Sequence, residues 1–390
     1  MCECMIDITH PSKGIINHVF QLFPNDKIIN YEFCVKRGLT NCNKKNATRG
    51  MDVLSSFLSI KNEDIEAVKK FIERHGFLFP INPNESSSID ATHIFNLINR
   101  LNAVIALMVA ICEKNVDYKK VLSLTLYLLL SPQITINISN DHSYSSTYYT
   151  IGRLWNGVFT EEDGSGIEEM KESHILHVDD TICPPRTSLT YDDYIYAIDP
   201  SDERTELQKR KITFLYMSAN SVDYYCRLAI DFIYHFHSRV GELHLWNFKG
   251  ELSFVRPSMS DTEDCLTENE WFNNKFDKQL QIALMTLAKH TLKVEIECNL
   301  FGVVTPTLDV ESMTPTWSID GLLAGLYLSI FYMRPDVEML KKCENPNCEN
   351  LFRVKTTSAK KNKYCSTKCT NAMAQRALRK RKAHTSLSSD

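Results

Sequence analysis

The chain of 390 residues is longer than most single domains, so we expect two or three domains. Hydrophobic residues make up 43% and charged residues 24%, which is ordinary for a soluble globular protein and excludes disorder along the whole length. The net charge of −4 hides an asymmetry: residues 341–390 carry 13 Lys and Arg against three acids, a net charge of +10, whereas residues 1–340 carry −14. A basic tail on an acidic body is typical of a module that faces nucleic acid or another anionic partner.

The first part of the chain is mainly helical in pattern. Residues 1–50 are irregular. Residues 62–75 predict a helix that Asn62 caps and Gly76 stops, because acids fill its first turn and basic residues its last. Residues 82–90 predict a linker or loop. Two apolar helices are then expected at 91–114 and 118–130.

The next part mixes helices with a few short strands. The predicted segments, in chain order, are a strand at 134–138, a turn-like stretch at 139–150, an acidic loop at 161–166, a helix at 206–236 broken near 219–220, a helix at 268–290, a strand at 293–298, a proline-punctuated connector at 305–316 and an apolar helix at 319–333. We therefore expect residues 1–340 to form a mainly α region, as one domain or two. The glycine signatures of dinucleotide and P-loop folds are absent.

The cysteines and the apolar runs of the sequence predict the compartment of the protein and its relation to membranes. The 13 cysteines, an odd number, and the absence of a signal-peptide pattern favour reduced thiols in a cytoplasmic protein. The most apolar stretches, Leu101–Cys112 and Val121–Leu130, are shorter than the roughly 20 residues of a spanning helix. We expect them to be buried helices and expect no membrane association.

Four cysteines near the C-terminus form the strongest motif. Cys343, Cys348, Cys365 and Cys369 are spaced C-x4-C, x16, C-x3-C. Two short-spaced pairs across a compact loop are typical of a closed tetrahedral zinc site with four thiolates. We predict one structural Zn²⁺ ion, with a knuckle at the first pair and the second pair at a helix start that Ser366 caps, as in treble-clef-like fingers. Free thiols and an iron–sulfur centre are the alternatives.

A basic helix follows the last two cysteines. We predict it at 370–382, and its cations are Arg376, Arg379, Lys380, Arg381 and Lys382. Basic side chains on a helix held by a metal site can contact phosphates and base edges of DNA. The alternative is a solvated charged tail. We place the finger at residues 341–384 and a disordered tail at 385–390.

The segment resembles the CGNR-type zinc finger of bacterial proteins. The shared residues are Cys343, Asn345, Pro346, Cys348, Phe352, Tyr364, Cys365, Ser366, Cys369, Gln375, Arg376, Arg379 and Arg381. The family's naming motif, Cys-Gly-Asn-Arg, is Cys369-Thr370-Asn371-Ala372 in this chain, so its Gly and Arg are missing. Residues 62–79 are similar to a helical segment of the companion N-terminal domain. The resemblance implies a stress-linked bacterial transcriptional regulator whose N-terminal domain acts as a sensor.

Other constellations offer weaker alternatives. His235, His237 and His244, with Glu242 between, match no common ligand pattern, and the Tyr- and Ser-rich stretch at 143–149 is a binding loop or a plain loop. Cys2, Cys4, Cys34 and Cys42 have no usual metal spacing. No hydrolase, metalloprotease or kinase motif is present, so we expect no enzymatic activity.

The leading function hypothesis is a zinc-dependent DNA-binding transcriptional regulator. The rival hypothesis is a structural or protein-interaction module whose basic helix docks on an acidic protein surface, such as the chain's own acidic body. The sequence specifies neither the target DNA nor the oligomeric state.

Overall fold

The structure is a computed structural model, and the residues that it describes are 5–8, 20–22, 29–34, 38–41, 53–61, 63–79, 87–138, 143–152, 175–179, 186–190, 223–245, 252–255, 267–309, 313–319, 321–348, 350–358 and 360–387. Its helices are α1 (Val53–Leu58), α2 (Ile65–His75), α3 (Ala91–Ala110), α4 (Tyr118–Leu130), α5 (Tyr224–Arg239), α6 (Glu268–Lys275), α7 (Lys278–Leu300), α8 (Leu322–Phe331) and α9 (Thr367–Leu387). The predicted mainly α fold is confirmed.

The strands are short. They are β1 (Met5–Ile8), β2 (Phe20–Leu22), β3 (Ile29–Cys34), β4 (Gly38–Asn41), β5 (Ser87–Asp90), β6 (Thr135–Asn137), β7 (Ser143–Ser145), β8 (Ile175–Asp179), β9 (Arg186–Thr190), β10 (Glu242–Leu245), β11 (Leu252–Val255), β12 (Val304–Asp309), β13 (Thr314–Ile319), β14 (Glu338–Lys342) and β15 (Leu351–Lys355). All pair antiparallel: β2, β3 and β4 form one three-stranded sheet, and the others form two-stranded ladders, β1 with β5 and the rest with their sequence neighbours.

The chain divides into two compact units, each assembled from separate stretches. One consists of Met1–Ile105, Ile134–Ser146 and Ile296–Asp390, and the other of Ala106–Gln133 and Thr147–Glu295. We call them the finger-bearing unit and the central unit, because the four predicted zinc ligands belong to the first.

The core of the finger-bearing unit is organised around α1. This helix packs against α2, α8, β4 and β15, and its side chains at Val53, Leu54 and Phe57 are fully buried. β4 approaches α8 closely, because the Leu39 N–H donates to Ser329 Oγ at 3.2 Å. A Cβ at Gly325 of α8 would lie 2.5 Å from Leu39 Cδ1, so a larger residue there would require the Leu39 side chain to move.

The core of the central unit is aromatic. Phe232 and Phe236 of α5 contact Phe276, which follows α6, and Phe272 stacks on Phe276. Trp271 fixes the end of α5 by donating its indole N–H to the Val240 carbonyl at 2.7 Å. Offset and edge-on ring contacts of this kind add to the stabilisation from buried area.

One predicted strand is a helix. We expected a strand at 293–298, but α7 continues through it to Leu300. Its buried face runs through Leu284, Leu287, Thr291 and Glu295, which is a helical period. The helical period was not recognised in the sequence because Thr291 and Glu295, the last two residues of this buried face, are polar. The Tyr149 hydroxyl lies 3.0 Å from both Glu295 Oε1 and the Thr291 backbone carbonyl, and its bond to the carboxyl compensates the burial of Glu295.

Several predicted loops contain strands. The connector at 305–316 is the β12–β13 hairpin, the linker at 82–90 ends in β5, and the turn-like stretch at 139–150 contains β7. Residues 1–50, predicted to be irregular, hold β1 to β4. The prolines at 306 and 315 favoured a connector, because proline has no amide hydrogen to donate to a neighbouring strand. In a two-stranded ladder each strand has one free edge, where Pro306 and Pro315 need no amide hydrogen.

Helix ends also differ from the predictions. Asp64 caps α2 by accepting from the Ala67 N–H at 2.9 Å, which corrects the predicted start at Asn62, a residue outside the described part of the chain. α3 ends at Ala110, four residues before the predicted end. Of the helix predicted at 206–236, α5 is the described portion.

One described helix is long and apolar enough to cross a membrane by length and composition. It is α3, and 67% of its most apolar window is buried inside the protein. Such burial is expected of a core helix and agrees with the buried position predicted for Leu101–Cys112 as far as Ala110, whereas Cys112, beyond the helix end, is exposed.

Candidate metal centre

The first cysteine pair lies at the turn of the β14–β15 hairpin. Cys343 follows β14 and Cys348 precedes β15. The Cys343 N–H donates to the Asn350 carbonyl at 3.0 Å, and the Cys348 N–H donates to the Asn345 carbonyl at 2.7 Å. These two bonds fold the C-x4-C segment into a knuckle that directs both thiols to one side.

The second pair lies at the start of α9. Ser366 is the N-cap, and its Oγ accepts from the Cys369 N–H at 3.3 Å, which confirms the predicted cap. Cys365 precedes the cap, and Cys369 lies in the first helical turn. The positive end of the helix dipole therefore stabilises negative charge on the Cys369 sulfur.

The four sulfurs meet at one point. All four Sγ atoms lie within 4.8 Å of one another, with Cys348 to Cys365 at 3.5 Å and Cys365 to Cys369 at 3.7 Å. A Zn–S bond of about 2.3 Å implies sulfurs about 3.8 Å apart around a tetrahedral ion. Cys343 and Cys369 are buried, while Cys348 and Cys365 are partly exposed. The donor set fits one structural Zn²⁺ ion, as predicted.

The electrostatics of the site favour a thiolate at Cys369. Hydrogen bonds from Asn345 and Ser366 lower the pKa of Cys369 to about 6. Burial, together with the neighbouring thiols, raises the pKa of Cys365 to about 12. Cys369 therefore provides one thiolate ligand without a metal. A bound dication would stabilise the other three cysteines as thiolates.

Asn345 links the knuckle to the helix. It is 6% exposed, and its Oδ1 accepts from the Asn347 N–H and from Arg376 Nη1, both at 3.2 Å. Through its contact with Cys369 it also touches the metal-binding sulfurs. Arg376 thus stabilises the finger by linking α9 to the knuckle through Asn345. It also places a positive charge near the four thiolates, which together with Zn²⁺ carry a net negative charge.

Residues 339–382 match the CGNR zinc finger family. The match and the four clustered cysteines confirm the resemblance of the cysteine segment to the CGNR-type finger. The family match does not include the upstream segment at 62–79, so the similarity of the N-terminal region stays a prediction. No curated protein and no solved structure matches the chain.

The basic helix differs in extent and in use from the prediction. α9 begins at Thr367 and continues to Leu387, so it reaches into the predicted tail at 385–390. Of the five predicted nucleic-acid contacts, Arg376 is directed into the finger, whereas Arg379 is exposed. The side chains of Lys380, Arg381 and Lys382 lie outside the described residues.

Those five cations cannot share one surface of the helix. At about 100° per residue they are spread around α9 with no gap wider than about 100°. A groove contacts one side of a helix, so only a subset can face a ligand at once. Most of these charges are adjacent in the sequence, which suggested a single basic surface. The helical period shows that their side chains point in different directions.

Lysines outside the helix were missed as candidate contacts. Lys355, Lys360 and Lys361, in the segment between the two cysteine pairs, are exposed and form no ion pair with another described residue. Glu344 by contrast binds Lys341 at 2.9 Å and Lys363 at 3.6 Å, and Lys341 lowers the pKa of this carboxyl. The run of basic residues between the two cysteine pairs could have identified these three exposed lysines from the sequence.

The finger is joined to the rest of its unit through β15. β15 packs against α1, the Leu351 N–H donates to Ser59 Oγ at 2.9 Å, and Val354 is 5% exposed. Phe352 and Tyr364, two of the residues shared with the CGNR-type finger, are half-buried. The hairpin therefore faces the unit's core on one side and carries the knuckle at its turn.

The two described histidines of the weaker candidate sites, His235 and His237, do not share one metal position. His235 and His237 are buried in α5, and burial lowers the pKa of His235 to about 4. Positions two apart on a helix point about 160° apart, so these rings cannot hold one ion. The side chains of Glu242 and His244 lie outside the described residues, as do Cys2, Cys4 and Cys42.

The tyrosines at 143–149 form hydrogen bonds within the protein. The Tyr144 hydroxyl donates to Asn299 Oδ1 at 3.0 Å, and the Tyr148 hydroxyl to the Gly152 carbonyl at 3.3 Å. Tyr149 is buried. These bonds stabilise the fold, so they do not favour the alternative of a binding loop.

Proposed function

We propose that the protein is a zinc-dependent DNA-binding transcriptional regulator of bacterial type. One observation carries the proposal: the segment that the zinc-binding cysteines hold carries exposed cations that have no ion-pair partner among the described residues. These cations are Lys355, Lys360, Lys361, Lys368 and Arg379. Fixed, unpaired cations of this kind suit a phosphate backbone, whose binding releases counterions. The remaining residues would sense a ligand or bind a partner.

The proposal has consequences for activity and location. Four protein thiolates complete the coordination of zinc and leave no position for a substrate, so we assign the ion a structural role and propose no catalysis. Reduced metal-binding cysteines suit the cytoplasm, which is the location that we propose.

The rival function is protein docking through the same helix. Leu378 is 56% exposed, and Ala374 and Ala377 beside it on α9 are also exposed. This apolar face, with the surrounding cations, would fit an acidic protein partner. Against docking on the chain's own body, α9 is exposed or half-buried at every described side chain except Cys369.

The salt dependence of DNA binding separates the two functions. Zinc-loaded full-length protein is titrated with a fluorescent random-sequence duplex at a series of salt concentrations. Four or five phosphate contacts predict a slope of log affinity against log salt near −4. Lys361→Gln should reduce that slope by about 0.9. The matched control is Lys69→Gln, since Lys69 already pairs with Glu66 on α2.

The expected control result is an unchanged slope. The absence of any duplex binding at low salt by protein that contains one equivalent of zinc would refute DNA binding. Binding that persists unchanged from low to high salt would point to apolar docking instead.

A further inference from the structure

One face of α9 carries polar side chains with no partner inside the protein. Lys368, Asn371, Gln375 and Arg379 are spaced three, four and four residues apart, so at about 100° per residue they lie within an arc of about 80°. All four are exposed, and none forms a hydrogen bond or ion pair with another described residue. We call this set the amide-basic stripe.

The other two faces of the helix have different uses. Cys369, Met373 and Arg376 face the metal site and the knuckle, where Arg376 Nη1 contacts Asn345 Oδ1 and Met373 Sδ. The third face is the apolar one that contains Leu378. The amide-basic stripe is thus the one side of the described helix with both cations and amides available for an external ligand.

The chemistry of the stripe matches base edges in the major groove of duplex DNA. Asn and Gln side chains can form paired hydrogen bonds with adenine, and Arg with guanine, whereas a Lys at the end of the row suits a phosphate. From Asn371 to Arg379 the helix rises about 12 Å, which spans roughly three to four base pairs. A phosphate-only surface would have no need of two amides in register.

We infer that α9 is a recognition helix in which Asn371, Gln375 and Arg379 contact base edges and Lys368 contacts a phosphate. This inference rests on the proposed DNA binding and deepens it by assigning the residues that discriminate sequence. Of the cations predicted from the sequence as nucleic-acid contacts, Arg379 belongs to the stripe.

Sequence selection followed by binding measurements tests the inference. Zinc-loaded full-length protein selects duplexes from a random library, and affinities are measured for a selected duplex and for a scrambled one. Asn371→Ala, Gln375→Ala and Arg379→Ala should each reduce the preference for the selected duplex about tenfold. Alanine is the best helix former, so the helix is retained, and zinc content verifies each fold.

Two further variants control for charge and position. Lys368→Gln should weaken both duplexes equally and reduce the salt slope by about 0.9. Thr370→Ala, on another face of α9, should change neither affinity.

The outcomes separate this inference from the proposed function. Wild-type protein that binds no duplex would overturn both. Two outcomes would overturn base reading by the stripe while leaving DNA binding intact. In the first, all three alanine variants keep the wild-type preference for the selected duplex. In the second, the variants lose affinity equally for the selected and the scrambled duplex. Preference for single-stranded RNA would also overturn it, because single strands are bound by stacking and not by a groove-bound helix.

Discussion

Arg376 is the residue whose role differs most from that predicted by the sequence. Arg376→Gln removes the guanidinium that donates to the buried Asn345 Oδ1 at 3.2 Å, leaving the Asn347 N–H as the other donor to that oxygen. A hydrogen bond from a charged group contributes roughly 1.5–3 kcal/mol, and partial exposure favours the lower end. A loss of about 1.5 kcal/mol corresponds to about a tenfold rise in the zinc dissociation constant.

Competition with a chromophoric chelator measures this effect. The matched control is Arg379→Gln, the same change three residues along the helix at an exposed position. We expect its zinc affinity to stay within about twofold of wild type, since it forms no hydrogen bond or ion pair with a described residue of the finger and surface changes are usually small. At saturating zinc the DNA data should reverse the order: Arg379→Gln reduces the preference for the selected duplex about tenfold, and Arg376→Gln leaves both that preference and the salt slope unchanged.

Equal zinc affinities for the two variants would refute the bracing role of Arg376. A salt slope that falls for Arg376→Gln in fully zinc-loaded protein would restore Arg376 as a phosphate contact. Both readouts come from the same purified proteins, so a folding defect would be visible as lost zinc before the DNA data are interpreted.

Three further predictions follow from the metal centre, the β15 contact and the buried histidine. Cys369→Ser should lower the zinc content measured by mass spectrometry from one equivalent to less than about half, and retention of a full equivalent would contradict the four-thiolate site. Ser59→Ala should lower the free energy of unfolding of the finger-bearing unit by about 1 kcal/mol, because the Leu351 N–H loses its acceptor, and zinc chelation should speed amide exchange in α1. Burial lowers the pKa of His235 from 6.5 to about 4, so the unfolded state binds the proton first and stability should fall as pH decreases from 6.5 towards 4. The difference in melting temperature between wild type and His235→Gln should vary over this interval, and a constant difference would contradict the shift.

The metal centre could be predicted from the sequence because its chemistry is local. Each cysteine pair is close in sequence, and each is held by a turn or a cap whose residues, such as Ser366, are adjacent. Thiolates bind zinc wherever four of them converge, so the spacing was sufficient. The pairing of Asn345 with Arg376 was not accessible in this way, because 31 residues separate them and many other acceptors could have served.

The errors in the fold come from interactions that lie far apart along the chain. Glu295 was not recognisable as buried, since the hydrogen bond that compensates its burial comes from Tyr149, which is 146 residues away. Alternating Val294, Ile296 and Cys298 then favoured a strand. Likewise the cap of α2 depends on which of two polar residues, Asn62 or Asp64, begins the turn, and short-range pattern alone does not decide that.

The attachment of β15 to α1 determines how the DNA-binding hypothesis can be tested. Ser59 and Leu351 are 292 residues apart, and their bond makes the finger part of a larger core. Deleting the finger from Lys341 onward would cut β14, which begins at Glu338, and would expose the side of α1 that β15 covers. Lost DNA binding in such a truncation could then arise from a damaged unit. Point changes on the exposed stripe of α9 leave the β15 contact in place, so they are the variants whose loss of binding can be attributed to the helix itself.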